Sequence, residues 1–226
     1  LQAPVPSIAL QGHTARVNDV AFIEYNNTEY LATASRDGSV RIWDPASGRT
    51  VTSHKGRSSV VKVAASEAGG RLVFTTKNGR AAVPGVDGKR LTRLCILRSG
   101  GRVSDARVSR DGSLVLTAES DRTARIWDVK TGELLHVLAG HQGEVNSAAF
   151  RVTGKQHKDK KIRVVTASRD RTARIWDVQL QKPRVLGIKS GSRITAAALS
   201  PDQRRVALVR RRGPRFEASV VDARTG

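Results

Sequence analysis

Two groups of side chains in this chain have the composition of a hydrolytic triad: His13 with Thr33 and Asp37, and His141 with Thr166 and Asp170. A hydroxyl, an imidazole and a carboxylate are the parts from which a nucleophile, its base and an orienting group are assembled. Their repetition argues against that use, because an active site is needed once. No other segment supplies a competing chemistry. His136 and His157 lack the paired spacing of metal ligands. There is no glycine-rich phosphate loop ending in Lys-Ser or Lys-Thr and no Gly-x-Ser-x-Gly elbow, and Gly69-Gly70 and Gly100-Gly101 read as turn glycines. Cys95 is the only cysteine, so no intramolecular disulfide can form. The expectation is therefore no catalytic residue, no bound metal and no cofactor.

What positions these groups is a repeat. Ile-Trp-Asp occurs at 42–44, 126–128 and 175–177, and its tryptophans are the only three in the chain. Around them run TASRDGSVRIWD, TAESDRTARIWD and TASRDRTARIWD, and Gly-His precedes two of them at Gly12-His13 and Gly140-His141. Two degenerate copies complete the series. RLVFTTKNGRAAVPGVDG at 71–88 places Val83 and Pro84 where Trp and Asp would stand, and SVVDARTG at 219–226 places Val221 at the Trp position. The anchors are spaced by about 40 to 49 residues, a period of repeat architectures. Each unit holds short alternating or β-prone runs separated by turn signals such as Arg36-Asp37-Gly38 and Ser47-Gly48, which argues for an all-β fold with few helices. Val40 and Ile42 point one way while Arg41 and Trp43 point the other, so the sheet must be covered on both sides.

The pattern resembles the WD-repeat family, whose units of about 40 to 45 residues form four-stranded β-propeller blades. The resemblance implies an all-β WD-repeat β-propeller with five recognisable blades near 11–50, 54–90, 99–134, 140–182 and 190–226, and Ser7 to Leu10 as an outer strand. Seven blades are usual in that family. The chain is thus expected to be a segment of a larger array, with a ring of five closed by Ser7–Leu10 on the last blade as the alternative. The resemblance also makes His13, Thr33, Asp37 and Trp43, and His141, Thr166, Asp170 and Trp176, a buried structural network within each blade. The third repeat keeps Thr117, Asp121 and Trp127 but has Ser99 at the histidine position, so its network should be shorter. His54 is a doubtful substitute in the second.

The family implies a non-enzymatic platform that binds partners on its narrow face, at positions three and five residues after the histidine and just before the turn aspartate. Carried over, these are Arg16, Asn18 and Arg36; Arg102, Ser104 and Ser120; Glu144, Asn146 and Arg169; and Arg193 and Thr195. Arginine dominates this set, which suits an acidic protein partner. The whole chain carries 40 Lys plus Arg against 20 Asp plus Glu, a net +20 that would also attract nucleic acid. The alternative function is accordingly a nucleic-acid-associated propeller meeting phosphate through its arginines. The basic runs KQHKDKK at 155–161 and Arg210 to Arg212 with Arg215 lack interleaved aromatic residues and read as solvated loops. Neither a small-molecule substrate nor membrane association is indicated, no apolar stretch approaches a membrane span, and the expected location is cytoplasmic. A fused signalling or regulatory domain would lie outside this segment.

Overall fold

The computed structural model describes residues 7–66, 70–87, 90–153, 161–178, 186–223 and 225. Among them the chain forms strands and no helix, hence none long and apolar enough to cross a membrane. The strands fall into five antiparallel meanders. Sheet one contains β1 (Val17–Tyr25), β2 (Thr28–Ser35), β3 (Ser39–Trp43) and β4 (Thr50–Lys55). Sheet two contains β5 (Val60–Ala65), β6 (Leu72–Thr76), β7 (Ala81–Asp87) and β8 (Arg90–Leu97), and sheet three β9 (Val103–Val108), β10 (Leu114–Glu119), β11 (Thr123–Asp128) and β12 (Leu134–Ala139). Sheet four contains β13 (Val145–Thr153), β14 (Lys161–Ser168), β15 (Thr172–Asp177) and β16 (Leu186–Lys189), and sheet five β17 (Arg193–Leu199), β18 (Arg205–Arg212) and β19 (Arg215–Asp222).

The core consists of layers between neighbouring sheets. Val40 and Ile42 of sheet one meet Val60, Val63 and Leu72 of sheet two, Val83 of sheet two packs with Trp127 of sheet three, and Leu114 and Leu116 pack with Val164 and Trp176 of sheet four. The next layer joins Val165 and Ile175 to Ile194, Val206 and Leu208. Burying apolar side chains on both faces of every inner sheet is the driving force for this stacking. The first strands, β1, β5, β9, β13 and β17, pack on one another in chain order. Among the described residues β17 makes no comparable packing on β1, so the five sheets form an open array.

Four details differ from the sequence reading. The outer strands β4, β8, β12 and β16 pair with the third strand before them, so each four-stranded sheet extends a few residues past the blade ends at 50, 90, 134 and 182. The turn at Ser47-Gly48 folds β4 straight back along β3, and that hairpin keeps both strands in one sheet. Ser7 to Leu10 form no strand and do not pair with β19, and a Cβ on Gly48 would come within 2.5 Å of Ile8 Cγ2. This segment therefore rests on the first sheet's own turn. In the second sheet Phe74 lies opposite Ala82, the same register as Thr33 opposite Arg41, which puts Pro84 rather than Val83 in the place of Trp43. Counting back from the following glycine misleads because β7 runs on to Asp87, whereas β3 ends at Trp43. Val221 does stand opposite Val206 as Trp43 stands opposite Leu31. Arg210 to Arg212 belong to β18 rather than to a turn, and most of the 155–161 run lies outside the described residues.

Candidate interaction face and the fasteners that hold it

In the first sheet the triad-like residues form one chain of hydrogen bonds. The Trp43 indole donates to Thr33 Oγ1 at 2.7 Å, that hydroxyl lies 2.7 Å from His13 Nε2, and His13 Nδ1 lies 2.9 Å from Asp37 Oδ2. An ionised carboxylate only accepts, so Nδ1 carries the imidazole proton and Nε2 accepts from the threonine. Asp37 also takes the Thr14 and Ser39 backbone N–H groups, closing the turn. The fourth sheet repeats this with Trp176, Thr166, His141 and Asp170 at 2.8, 2.7 and 2.7 Å. Burial drives the His141 imidazole below its ordinary value and so keeps it neutral, although Asp170 pulls the other way. Burial would raise Asp170, but hydrogen bonds from Thr172, Gln142 and His141 together hold it down at about 2. With each threonine hydroxyl held between indole and imidazole and buried, neither is free to attack a substrate. Gly12 adopts φ +149°, a conformation that L side chains rarely take, and its missing Cβ leaves room for the Arg41 guanidinium that covers Trp43.

The third sheet fastens itself by different chemistry, carried by a residue that the sequence reading passed over. Ser99, at the histidine position, turns away to the Leu97 carbonyl. Glu119, fully buried, supplies the missing partner. It accepts from Thr117 Oγ1 at 2.8 Å and from the Gly100 and Gly101 backbone N–H groups, and pairs with Arg125, which reaches Asp121 at 2.8 Å. Trp127 still donates to Thr117. The network is thus rewired rather than shortened. Burial pushes the Glu119 carboxyl above its ordinary range against the pull of Thr117 and Arg125. Gly100 and Gly101 do more than make a turn, since a Cβ on either would collide with Arg125 or Asp121. The signal was present as TAE at 117–119 where the first and fourth repeats read TAS.

Among the described residues the second sheet has no such chain. Phe74 occupies the threonine place and Ala82 the arginine place. His54 sits on β4 of the neighbouring sheet with its ring 6.1 Å from Phe74.

A β-bulge recurs in all five first strands, at Asn18, Val61, Ser104, Asn146 and Thr195. Four of these are positions expected on the narrow face. Bulges re-aim side chains, and here two of them tie adjacent sheets: Asn18 Nδ2 donates to the Val60 carbonyl and Asn146 Nδ2 to that of Ile194. Arg193 in turn donates to Asn146 Oδ1, and Thr195 to the Val209 carbonyl. Arg102 reaches the Lys77 carbonyl while its backbone N–H donates to Ser120 Oγ. Arg169 pairs with Glu144 at 2.9 Å. Arg16 and Arg36 are exposed, and no acid is within ion-pair reach of either among the described residues. Ser104 is also exposed.

The residues after four of the bulges, Asp19, Lys62, Asp105 and Ser147, were missed by the sequence reading and tie the first strands together. Asp105, 1% exposed, binds Lys62 at 2.9 Å, Arg107 at 3.5 Å and Ser147 at 3.1 Å, joining three sheets. Asp19, its counterpart in β1, accepts from the Val63 N–H. Beside them opens a depression of about 610 Å³ lined by Asn18, Arg36, Val61, Lys62, Lys77 and Arg107 among others.

Residues 4–44, 92–128 and 132–177 match the profile of the family described as WD domain, G-beta repeat, and they make up more than half of the chain. The chain belongs to the WD-repeat family. Two stretches outside the match, most of the second sheet and the whole fifth, are those whose histidine, threonine and tryptophan places are all altered. Among similar proteins, Pre-mRNA-processing factor 19 of Bos taurus is 28% identical over 143 residues, covering 62% of this chain and 28% of that protein. Periodic tryptophan protein 2 homolog of Dictyostelium discoideum is 28% identical over 144 residues, covering 62% of this chain and 15% of that protein. Nuclear distribution protein nudF of Aspergillus niger is 25% identical over 148 residues, covering 62% and 32%. The WD repeats matched here thus span less than a third of each of these relatives. Members of this family generally act as non-enzymatic interaction scaffolds.

Proposed function

We propose that this WD-repeat array is a platform for protein partners, taking acidic peptide segments in the axial depression of its narrow face. The supporting observation is the convergence of Arg36, Lys62, Lys77 and Arg107 from three sheets around that depression. Asp19, held by the Val63 N–H, lies in the wall of the depression, and Lys62 and Arg107 share the buried Asp105, so Arg36 and Lys77 are the lining cations left without an acid partner among the described residues. Guanidinium and ammonium groups held on a rigid scaffold bind carboxylates without first paying to order themselves. Arg16 widens the basic rim, whereas Arg169, paired with Glu144, contributes less.

The test is fluorescence anisotropy with a labelled poly-glutamate decapeptide. Replacing Arg16, Arg36 and Lys77 with glutamate should weaken binding at least tenfold and leave the far-ultraviolet circular dichroism unchanged. Unchanged affinity would exclude the axial depression. The net charge of +20 favours one second reading, phosphate binding. A labelled oligouridylate separates the two: nucleic-acid binding would fall with a log-log salt slope of about −0.7 per neutralised phosphate, and alanines at Arg210, Arg211 and Arg212 would weaken it as much as the axial substitutions.

A further inference from the structure

The second sheet has lost its fastener, and the space has been only partly refilled by the Phe74 and His54 rings. Gly56 stands at the place of His13, Ala82 at that of Arg41 and Pro84 at that of Trp43. An imidazole, a guanidinium and an indole are thus replaced by a hydrogen, a methyl and a proline ring, while the Phe74 ring at the threonine place takes up part of the space. What results is a largely apolar cavity of about 260 Å³ between the first and second sheets. Its walls include Val60, Phe74 and Ala82, all buried, with the His54 ring alongside and the exposed Ile96 at the mouth. It shares no lining residue with the axial depression, and it continues past Asn78, Arg80 and Ile96 into a neighbouring depression bordered by Arg98 and Arg102. Arg57 and Arg80 flank the mouth, both exposed and with no acidic partner among the described residues.

We propose that this vacated fastener is a second docking site, which receives one apolar side chain of an acidic linear peptide from a protein partner. The cavity is ring-sized and apolar, so it rewards a phenylalanine or leucine anchor by removing it from water. The cations at its mouth select acids on either side of that anchor. A nucleic acid base fits poorly, because the Phe74 ring is 4% exposed and offers no open face for stacking. The proposal is independent of the axial reading.

The experiment uses three fluorescein-labelled nonapeptides with glutamate-rich flanks: one with a central phenylalanine, one with a central alanine, and one with the phenylalanine between glutamines. The intact 226-residue chain should bind the first on the order of tenfold or more tighter than either of the others, the scale of burying one such side chain. Gly56→His should refill the cavity and erase the preference for phenylalanine. A Cβ at Gly56 meets nothing closer than 3.8 Å, so the variant should keep its melting temperature. Ile96→Asp, at an exposed mouth position, provides a second variant with the same expected loss. Glutamates at Arg57 and Arg80 should erase the preference for acidic flanks. The axial triple variant should leave the phenylalanine-to-alanine ratio untouched, which separates this site from the axial one. Equal binding of the phenylalanine and alanine peptides would overturn the proposal, as would a preference that survives both Gly56→His and Ile96→Asp.

Discussion

At the scale of single residues, a constellation that looks catalytic is spent on holding the sheet together. Every donor in the His141 chain has an acceptor, and removing any member strands the others out of water. Asp170→Ala should therefore cost about 1 to 3 kcal/mol, because it orphans the His141 Nδ1–H and the Gln142 and Thr172 backbone N–H groups. Glu29→Ala, an exposed control, should stay within about 0.5 kcal/mol. Urea denaturation of both would decide it, and equal small losses would remove the network from the account of stability. The same chain sets the acid response. The His141 imidazole titrates below its ordinary 6.5 when folded, so the unfolded chain binds its proton first and stability is lost as pH falls below 6.5. Asp170, lowered from 3.8 to about 2, adds a second loss as pH falls through that interval. Melting temperature measured from pH 8 to pH 3 should decline below pH 6.5, and His141→Gln should flatten the first part of that decline. A melting temperature that does not change across it would contradict the assignment.

At the scale of the element, the third sheet reaches the same mechanical end with an ion pair in place of an imidazole. Glu119 is fully buried and Arg125 is 13% exposed, so removing one partner leaves an uncompensated charge in the sheet. Glu119→Gln and Arg125→Met should each cost about 3 to 5 kcal/mol, and the double variant should cost less than their sum by about 0.5 to 3 kcal/mol. Additive losses in a double-mutant cycle would mean that the two side chains act separately. The sequence disclosed the strands, the turn aspartates and the tryptophan chains because those depend on local pattern: alternation, a three-residue turn, and a motif repeated in register. Glu119, Asp105 and the Pro84 register were not legible in the same way. Glu119 matters through Gly100 and Arg125, and Asp105 through Lys62 and Ser147 of two other sheets, contacts that exist only once the strands are paired and stacked. Four of the positions expected on the narrow face lie at bulges, and the hydrogen bonds of Asn18 and Asn146 to neighbouring sheets could not be read from residue type.

At the scale of the whole molecule, the inner sheets are covered on both faces while the two end sheets are each covered on one. Phe150 of β13 packs against the layer formed with the third sheet. Phe22 holds the same register in β1, with no sheet preceding it among the described residues, and is 64% exposed alongside Val20 at 56%. At the other end Phe216 and Val220 of β19 are each 64% exposed. Contiguous apolar surface of this kind drives association, and because β19 has no fourth strand beside it, its hydrogen-bonding edge is open among the described residues as well. The 226-residue chain should therefore self-associate at micromolar concentration through its end sheets, and Phe22→Asp with Phe216→Asp should shift it to monomer. Analytical ultracentrifugation over a concentration series reads this directly. The substitutions lie outside the four inter-sheet layers, so the melting temperature should change little. If the wild-type chain sediments as a monomer at every concentration, the exposed faces are not adhesive and the net charge of +20 dominates the interaction between copies.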